Sequence, residues 1–531
     1  MVVLWIAPLG LRVLIHPDEG RYAELSLHIL HSGDWVTPRL NGILYFEKPA
    51  FQYWIGAISM LLFGINEFAA RLWPGLSGIL TVLAVGMTAS RLWNRQSGFY
   101  AAMTAAGTAW IILNSHFLSL DAGVTFFLTL TLCGFLLGQR TGVTEFERRR
   151  CMLLAWAAIA GAVLSKGLIG LVIPGATLVI YSVATRRWNI WGRMHWFSGI
   201  TLMLALTAPW FILVAQRNPD FLQFFFVHEH LQRFVSTEHR RSGPVWYFLP
   251  ILLGGLMPWT SLLPALLRHR PAAIINDGVD AKTFILCWAG FVFCFFSLSG
   301  SKLPSYILPM FPALAMLLGN YLAQADALKL RRHLLLPAAI TSAVLVYSPF
   351  MARHASPQSP AHIYLELAVY VAAGAVIFLA LALLAWQRLG QGRRSQGIMA
   401  VTLGSLLAMT VVMWGHDVYG RFKSSADVVT AIAAGITPAT TIYSVRYYDQ
   451  TFPFYLQRPV ILVDYQDEFS FGQQQEPDKW IPALDAFIER WSSGKPAVAM
   501  MTEDTYRELL ARNLRMKIIY QDPRRLVVQS E

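Results

Sequence analysis

The sequence predicts an α-helical membrane protein that crosses the bilayer many times and ends in a small α/β domain. Of its 531 residues, 55% are hydrophobic and only 14% are charged, whereas soluble domains carry charge on about a quarter of their residues. Apolar runs long enough to span about 30 Å of hydrocarbon recur up to residue 415. Beyond that residue the pattern changes to short β-rich runs that alternate with helix-like stretches.

The apolar runs predict about thirteen transmembrane helices. They cover residues 1–15, 68–90, 98–113, 123–138, 152–164, 168–184, 196–214, 246–266, 283–298, 304–323, 334–351, 363–386 and 398–415. The run 51–64 is too short for a crossing and predicts an interfacial or re-entrant helix. The first run is short and contains Pro8 and Arg12, so we expect that the natural chain begins earlier than this one.

The charge distribution predicts the orientation of these helices. If residues 51–64 do not cross, the loops between the later helices place clusters of arginine and lysine on a single side, which the positive-inside rule makes cytoplasmic. The loops 16–67 and 215–245 and the tail 416–531 then face outward, into the periplasm of a bacterium. This asymmetry accounts for the formal charge of +12 without nucleic acid as a partner.

The tail predicts a separate periplasmic domain, residues 416–531, after a transmembrane domain of residues 1–415. Its predicted strands are Thr441 to Val445, Val460 to Val463, Ala497 to Met501, Met516 to Tyr520 and Leu526 to Val528. Helix-like stretches from Ile481 to Trp491 and from Asp504 to Asn513 lie between them, an alternation typical of an α/β domain.

The first outward loop is rich in groups that carry chemistry, beginning with Asp18 and Arg21 in the stretch HPDEGRYAELS. A solvated connector would also be polar. Asp121 favours a functional site, because it is the one acid between Glu67 and Glu145 and lies where an outward loop enters an apolar run. Capping of the helix that begins there is the alternative explanation.

Cations on the outward side oppose the positive-inside bias and are natural ligands of a lipid phosphate or pyrophosphate. They are Arg21, Lys48, Lys166, Arg217, Arg233, Arg240, Arg241 and Lys302. Contact with lipid headgroups is the alternative for Arg240 and Arg241, but it fits less well for Arg21 and Lys48, which lie among acids.

The stretch FFFVHEHLQRF brings His228, Glu229 and His230 together, and Glu47 could add an acid from the first loop. Histidine and glutamate can bind zinc, although this spacing matches no standard zinc motif. The four cysteines lie in apolar runs without metal-site spacing, which predicts a packing role. The sequence has no Walker, Rossmann or HExxH motif.

Six stretches carry a family resemblance: HPDEGRYAE, GDWVTPRLNGILYFEKPAFQYW, FAARLWPGLSG, NSHFLSLDAG, SKGLIG and GSKLPSYILP. With them the chain resembles the bacterial lipid A aminoarabinose transferases, which belong to the protein O-mannosyltransferase-like, GT-C type of glycosyltransferase. We expect the resemblance to cover the whole chain, although it is least diagnostic in the C-terminal domain.

The resemblance implies roles for individual residues. Asp18 and Asp121 would be the essential acids; Arg21, Lys48, Arg233 and Tyr306 would surround the donor phosphate, with Tyr45 nearby; Glu47 and His228 would hold a divalent metal, zinc in a structural role.

The implied reaction moves 4-amino-4-deoxy-L-arabinose from undecaprenyl phosphate to a lipid A phosphate at the periplasmic face of the inner membrane. It gives resistance to polymyxin and other cationic peptides, uses no nucleotide and inverts the anomeric carbon. Membrane lipids are the expected partners, and the expected state of the protein is a monomer. The lipid A phosphate is already ionised, so Asp18 need not be a base. Alternatively, Asp18 or Asp121 binds the sugar ammonium and stabilises oxocarbenium-like charge at the anomeric carbon. A protein or glycan hydroxyl as acceptor, or a flippase for a lipid-linked sugar, are the alternatives. A flippase would more often have midplane charges and inverted repeats.

Overall fold

The computed structural model describes residues 1–232, 243–268, 278–357 and 359–531. It is mainly helical up to Phe422, where the last long helix ends, and the predicted α-helical membrane fold with a small C-terminal α/β domain is confirmed. The helices of this first part are α1 (Val2–Ile6), α2 (Asp18–Ser32), α3 (Phe51–Phe63), α4 (Glu67–Leu92), α5 (Arg95–Gly107), α6 (Ala109–Ser115), α7 (Leu120–Gly138), α8 (Glu145–Lys166), α9 (Ile169–Thr185), α10 (Trp196–Arg217), α11 (Phe248–Gly255), α12 (Leu263–Arg268), α13 (Ala281–Leu298), α14 (Phe311–Gln324), α15 (Ala327–His333), α16 (Leu335–Tyr347), α17 (Ala361–Gly390) and α18 (Arg394–Phe422). A π-helix, Gln223–Gln232, follows α10.

Eight helical segments of the described residues are long and apolar enough to cross a membrane. They are Glu67–Leu92, Leu120–Gly138, Trp196–Arg217, Ala281–Leu298, Pro304–Gln324, Ala327–His354, Ala361–Gly390 and Arg394–Phe422. Val245–Gly255 and Thr260–Leu266, bent by 109°, make a ninth if they form one span.

The other four predicted spans lie on shorter or interrupted helices. Residues 1–15 contain only the five-residue α1 and a 3-10 turn, and residues 98–113 are divided between α5 and α6 at Thr108. Residues 152–164 lie within α8, which begins with a charged segment, and residues 168–184 match the 17-residue α9. The number thirteen therefore stays a prediction.

The helices around the site approach closely because small residues line their contacts. A Cβ on Gly98 would lie 2.5 Å from the carbonyl oxygen of Gly86, and a Cβ on Gly319 would overlap the amide nitrogen of Ala101. Only glycine allows such approaches, which are common between helices in membranes. They fix α5 against α4 and α14, and α6 continues from α5 toward the site.

The first loop that was predicted to face outward folds into α2, a two-stranded hairpin of β1 (Arg39–Leu40) and β2 (Ile43–Leu44), and α3. With 13 residues, α3 is about 20 Å long, which is shorter than the hydrocarbon core. It accordingly fits the expectation that residues 51–64 do not cross the membrane.

The C-terminal domain is built on a five-stranded sheet. Its strands are β3 (Thr441–Val445), β4 (Ile461–Val463), β5 (Ala497–Met501), β6 (Met516–Gln521) and β7 (Leu526–Ser530), in the order β4-β3-β5-β7-β6. The first three are parallel, and β7 is antiparallel to both of its neighbours. The helices α19 (Ala426–Ile432), α20 (Thr451–Leu456), α21 (Ser470–Gln475), α22 (Leu484–Trp491) and α23 (Glu503–Ala511) complete the domain.

The hairpin joins the first loop to this domain. Asn41 donates from its side chain to the Val460 carbonyl at 2.7 Å and accepts from the Val460 amide at 2.8 Å. The Asn41 amide donates to the buried Glu24 carboxyl at 2.9 Å. These hydrogen bonds thus attach the hairpin to the residue that precedes β4.

The stability of the fold should depend on the protonation of Glu24. Burial raises the pKa of Glu24 to about 8, although the hydrogen bond from Asn41 opposes this shift. Because this pKa lies above the unfolded value, protonated Glu24 stabilises the fold fully below the unfolded pKa, and this contribution is lost as the pH rises through about 8. Between about pH 5 and about pH 9, we expect a loss of up to about 4 kcal/mol in unfolding free energy. Unfolding in detergent, compared with Glu24→Gln, measures it; an equal pH dependence in the variant would contradict the assignment.

Candidate active site

The first turn of α2 is fixed by a buried ion pair between Glu19 and Arg71. Arg71 donates to the two Glu19 carboxylate oxygens at 2.6 and 2.8 Å and to three backbone carbonyls of residues 9–13. Burial by itself would raise the pKa of Glu19, but the Arg71 charge and its hydrogen bonds outweigh burial and lower that pKa to about 2. Glu19 is therefore ionised and holds α2 against α4.

Glu19 also brings together the two predicted acids. Its carboxylate accepts from the amides of Ile15 at 3.1 Å and of Leu118 at 3.0 Å. Asp18 is the first residue of α2, and Asp121 is the second residue of α7, which begins just after Leu118. One buried carboxylate thus fixes the backbone on both sides of the space between Asp18 and Asp121.

That space is a cavity of about 790 Å³. It is lined by six of the nine residues that the sequence predicted for the site: Asp18, Arg21, Glu47, Lys48, Asp121 and Tyr306. These residues come from four separate stretches of the chain, and the fold brings them together around one cavity. The roles assigned to them stay predictions.

The remaining three predicted residues have different placements. Tyr45 is only 2% exposed and does not belong to the cavity lining; burial raises the pKa of its phenol, and Glu47 adds to this shift. Tyr22 lines the cavity instead. Arg233 lies outside the described residues, and so does the side chain of His228.

Arg21 joins α2 to the C-terminal domain. Its guanidinium lies 2.8 Å from Asp18 Oδ1 and 2.5 Å from Glu468 Oε2. Glu468 also accepts from the Gln450 amide group at 2.8 Å. Burial raises the pKa of Glu468, while the Arg21 charge acts in the opposite direction. Sequence reasoning missed Glu468, because it is 447 residues from Arg21 and no motif surrounds it.

Lys166 is a second residue that the predicted site lacked, although it is one of the cations predicted on the outward side. It forms an ion pair with Asp121, and its Nζ lies 4.7 Å from the centre of the Tyr306 ring. Lys166 is the last residue of α8, so this contact fixes α8, α7 and the Tyr306 segment around one side of the cavity.

The wall of the cavity that α6 forms is mainly apolar, in contrast to the charged wall described above. Trp110, Leu113 and Asn114 lie on one face of α6, and Phe117 lies two residues after its end; all four line the cavity. Phe224 and Phe471 add another apolar region, with ring centres 4.2 Å apart. A cavity with charged and apolar walls suits a substrate that has both an ionic headgroup and a lipid chain.

The structure supplies no complete metal site among the residues that it describes, where no group of three or more His, Cys, Asp or Glu side chains could hold a metal ion. Glu47 lines the cavity, and the Lys48 ammonium donates to the Glu47 carbonyl at 2.6 Å. The zinc site at Glu47 and His228 therefore stays a prediction, which elemental analysis of the purified protein would test.

Comparison with known proteins gives two matching family models. The model of the dolichyl-phosphate-mannose-protein mannosyltransferases matches residues 1–225, and that of the aminoarabinose transferase C-terminal domain matches residues 428–530. The C-terminal match covers all five strands of the sheet.

Curated relatives include the undecaprenyl phosphate-alpha-4-amino-4-deoxy-L-arabinose arabinosyl transferases of Edwardsiella ictaluri and Erwinia tasmaniensis. They are 36% identical over 323 residues and 37% identical over 321 residues. Each match covers 60% of this chain and 57% of the relative, so the matched part spans little more than half of their length.

The structural match is more extensive. The crystal structure of ArnT from Cupriavidus metallidurans bound to undecaprenyl phosphate is 38% identical and superimposes with a TM-score of 0.95, covering 100% of this chain and 96% of that chain. Its apo structure superimposes with a TM-score of 0.94. The identity and the near-complete coverage confirm the resemblance found in the sequence: the chain belongs to the aminoarabinose transferase family of GT-C membrane glycosyltransferases.

Proposed function

We propose that this protein transfers 4-amino-4-deoxy-L-arabinose from undecaprenyl phosphate to a phosphate group of lipid A. The names of the relatives support the sugar and its carrier, and the undecaprenyl phosphate bound to the Cupriavidus protein supports the carrier. We further propose that the cavity opens to the periplasmic face of a bacterial inner membrane, as the loop charges predict, and that the protein acts as a monomer.

The observation that carries this proposal is the composition of the cavity described above. Arg21, Lys48 and Lys166 place three cations on its lining, while α6 supplies an apolar wall. A polyprenyl phosphate sugar combines an anionic group with a hydrocarbon chain, and a lipid A acceptor combines the same two chemistries. Both substrates can therefore use the same two kinds of wall.

The transfer needs one bond to break and one to form. The bond between the anomeric carbon and the donor phosphate oxygen breaks, and polyprenyl phosphate leaves with the electron pair. An oxygen of the acceptor phosphate forms the new bond from the opposite face, which inverts the anomeric carbon. No proton has to be removed, because the acceptor phosphate is already ionised near neutral pH.

The leaving phosphate gains one negative charge in this step. Lys48 and Arg21 stabilise that charge more strongly in the transition state than in the bound donor, and interactions of this kind raise turnover. Asp18 and Asp121 line the same cavity as these two cations. We assign them to the 4-ammonium group and to the positive charge that develops at the anomeric carbon.

Mass spectrometry of lipid A tests the proposed function in cells. We compare a deletion strain with strains that carry the wild-type chain, Asp18→Asn or Asp121→Asn at equal membrane levels. Wild type should restore a pentosamine increment on lipid A. Each variant should lower this increment at least tenfold, because it removes a charge that interacts more strongly with the transition state than with the bound donor, and the loss of such an interaction lowers the rate.

A pentosamine increment that persists in the deletion strain would refute the lipid A assignment. Near-normal modification by both aspartate variants would refute their assigned role. Since the mannosyltransferase model matches residues 1–225, the membrane proteins of the same strains should also be examined for a sugar. A pentosamine found there instead would favour a hydroxyl acceptor.

A further inference from the structure

The segment that leads into Asp18 is held by residues that follow the last long helix or lie near its end. The Val13 amide donates to Asp417 Oδ1 and the Leu14 amide donates to the Tyr455 hydroxyl, both at 2.8 Å. The His16 amide donates to the Lys423 carbonyl at 3.2 Å. Three of the four amides of residues 13–16 are thus bound by partners about 400 residues later in the chain.

The His16 side chain is held in the same way by Arg524, in the turn between β6 and β7. Arg524 Nη2 lies 2.9 Å from His16 Nε2 and 3.1 Å from the Tyr447 hydroxyl, and Nη1 donates to the Phe422 carbonyl at 2.8 Å. A guanidinium cannot accept a hydrogen bond, so His16 Nε2 must be the acceptor and the imidazole must be neutral. Burial favours this state, because it lowers the pKa of His16 to about 4.

The turn that carries Arg524 is anchored by a buried network around its neighbour Arg525. Arg525 forms an ion pair with Asp449 and donates to the Ser425 hydroxyl at 2.8 Å. Asp449 in turn accepts from the Thr451 amide at 2.9 Å. Arg524 therefore extends toward His16 from a turn that the contacts of Arg525 hold in place.

The segment around Thr451, which belongs to this network, also contacts α2 directly. A Cβ on Gly20 would lie 2.5 Å from the amide nitrogen of Thr451, so the first turn of α2 packs against the backbone of the C-terminal domain. Asp18 and Arg21 lie on this turn and line the cavity. Any shift of residues 13–20 would move both side chains relative to Lys48, Asp121 and Tyr306.

We propose that Arg524 is a positioning residue for sugar transfer, which acts through His16 to hold Asp18 and Arg21 in their reacting geometry. This inference rests on the function proposed above. Small displacements of reacting groups lower rates strongly. Lys48 and Tyr306, which we propose to contact the donor, lie on other segments, so we expect Arg524→Ala to lower kcat roughly tenfold while the donor KM changes less than about threefold.

Four variants separate positioning from a general loss of structure. His16→Leu removes the acceptor and should match Arg524→Ala, whereas His16→Gln places an amide oxygen near the former Nε2 and should retain most of the turnover. The double variant His16→Leu/Arg524→Ala should lose no more than either single variant, because both break the same contact. Arg524→Lys keeps a donor and gives a second test if the alanine variant fails to fold.

Arg512→Ala is the matched control. This arginine of the C-terminal domain also forms ion pairs, at 2.7 Å with Asp485 and 3.0 Å with Glu508, but it is partly exposed and both of these partners lie within the C-terminal domain. Its kcat should remain that of the wild type.

The experiment measures kcat and donor KM of the full-length purified variants with polyprenyl phosphate aminoarabinose and lipid A. Amide hydrogen exchange of the peptide covering residues 11–22 is measured in parallel. Loss of kcat, rescue by His16→Gln and faster exchange in Arg524→Ala would support the inference. An active wild type with unchanged turnover in Arg524→Ala and His16→Leu, or additive losses in the double variant, would overturn it. A wild-type chain without transferase activity would instead refute the proposed function.

Discussion

Lys48→Met is expected to lower the turnover of aminopentose transfer by roughly 10²–10³-fold, with a much smaller change in the donor KM. The donor phosphate is a monoanionic diester, and the leaving phosphate becomes dianionic as the glycosidic bond breaks. A cation at the cavity wall therefore interacts more strongly with the transition state than with the bound donor. Steady-state kinetics of the purified variant, with saturating lipid A, measures both quantities.

Arg217→Met provides the control for the loss of a cation that was predicted to face outward. Arg217 is more than half exposed, pairs with Asp34 at 3.0 Å and does not line the cavity, so its turnover should stay within about twofold of the wild type. Lys48→Arg should retain more activity than Lys48→Met, since it keeps the charge. If Lys48→Met changed KM alone, the cation would bind the donor without stabilising the leaving group.

Arg71→Met is expected to lower the free energy of unfolding by about 3–5 kcal/mol, since it leaves the Glu19 carboxylate buried without its charge partner. Both side chains are at most 2% exposed, and five hydrogen bonds from Arg71 disappear with the guanidinium. Denaturant unfolding in detergent micelles, followed by tryptophan fluorescence, measures the change.

Two further variants serve as controls for Arg71→Met. The double variant Glu19→Leu/Arg71→Met should be more stable than Arg71→Met, because it removes the unpaired carboxylate as well. Arg507→Met breaks an exposed ion pair with Glu503 and should lower stability by less than about 1 kcal/mol. Equal effects of Arg71→Met and Arg507→Met would contradict the proposed importance of the buried pair.

Local patterns predicted much of the fold. Strands β3 and β5 begin and end where the apolar runs at Thr441–Val445 and Ala497–Met501 predict, because each is buried along nearly its whole length between turns. The membrane helices are less well predicted where an apolar run does not match one helix. The length of an apolar run does not reveal the break between α5 and α6 at Thr108 or the charged residues at the start of α8.

The site was predictable where charge conflicted with its surroundings. Asp121 and Lys48 stood out as an acid beside an apolar run and a cation on the outward side, and both line the cavity. Glu468 carried no such signal, because an acid in a polar C-terminal domain is ordinary until Arg21 is brought to within 2.5 Å of it. The partnership of Glu19 with Arg71 was hidden for the same reason: it depends on how the chain packs over 52 residues.

The most direct test is reconstitution of the purified wild-type chain in lipid nanodiscs with polyprenyl phosphate aminoarabinose and lipid A. Mass spectrometry and ³¹P NMR of the extracted lipid then report the sugar and the atom that carries it. We predict one pentosamine per modified phosphate, joined through the phosphate oxygen, and almost none with Lys48→Met. No transfer by the wild-type chain, or equal transfer by Lys48→Met, would contradict the proposed chemistry.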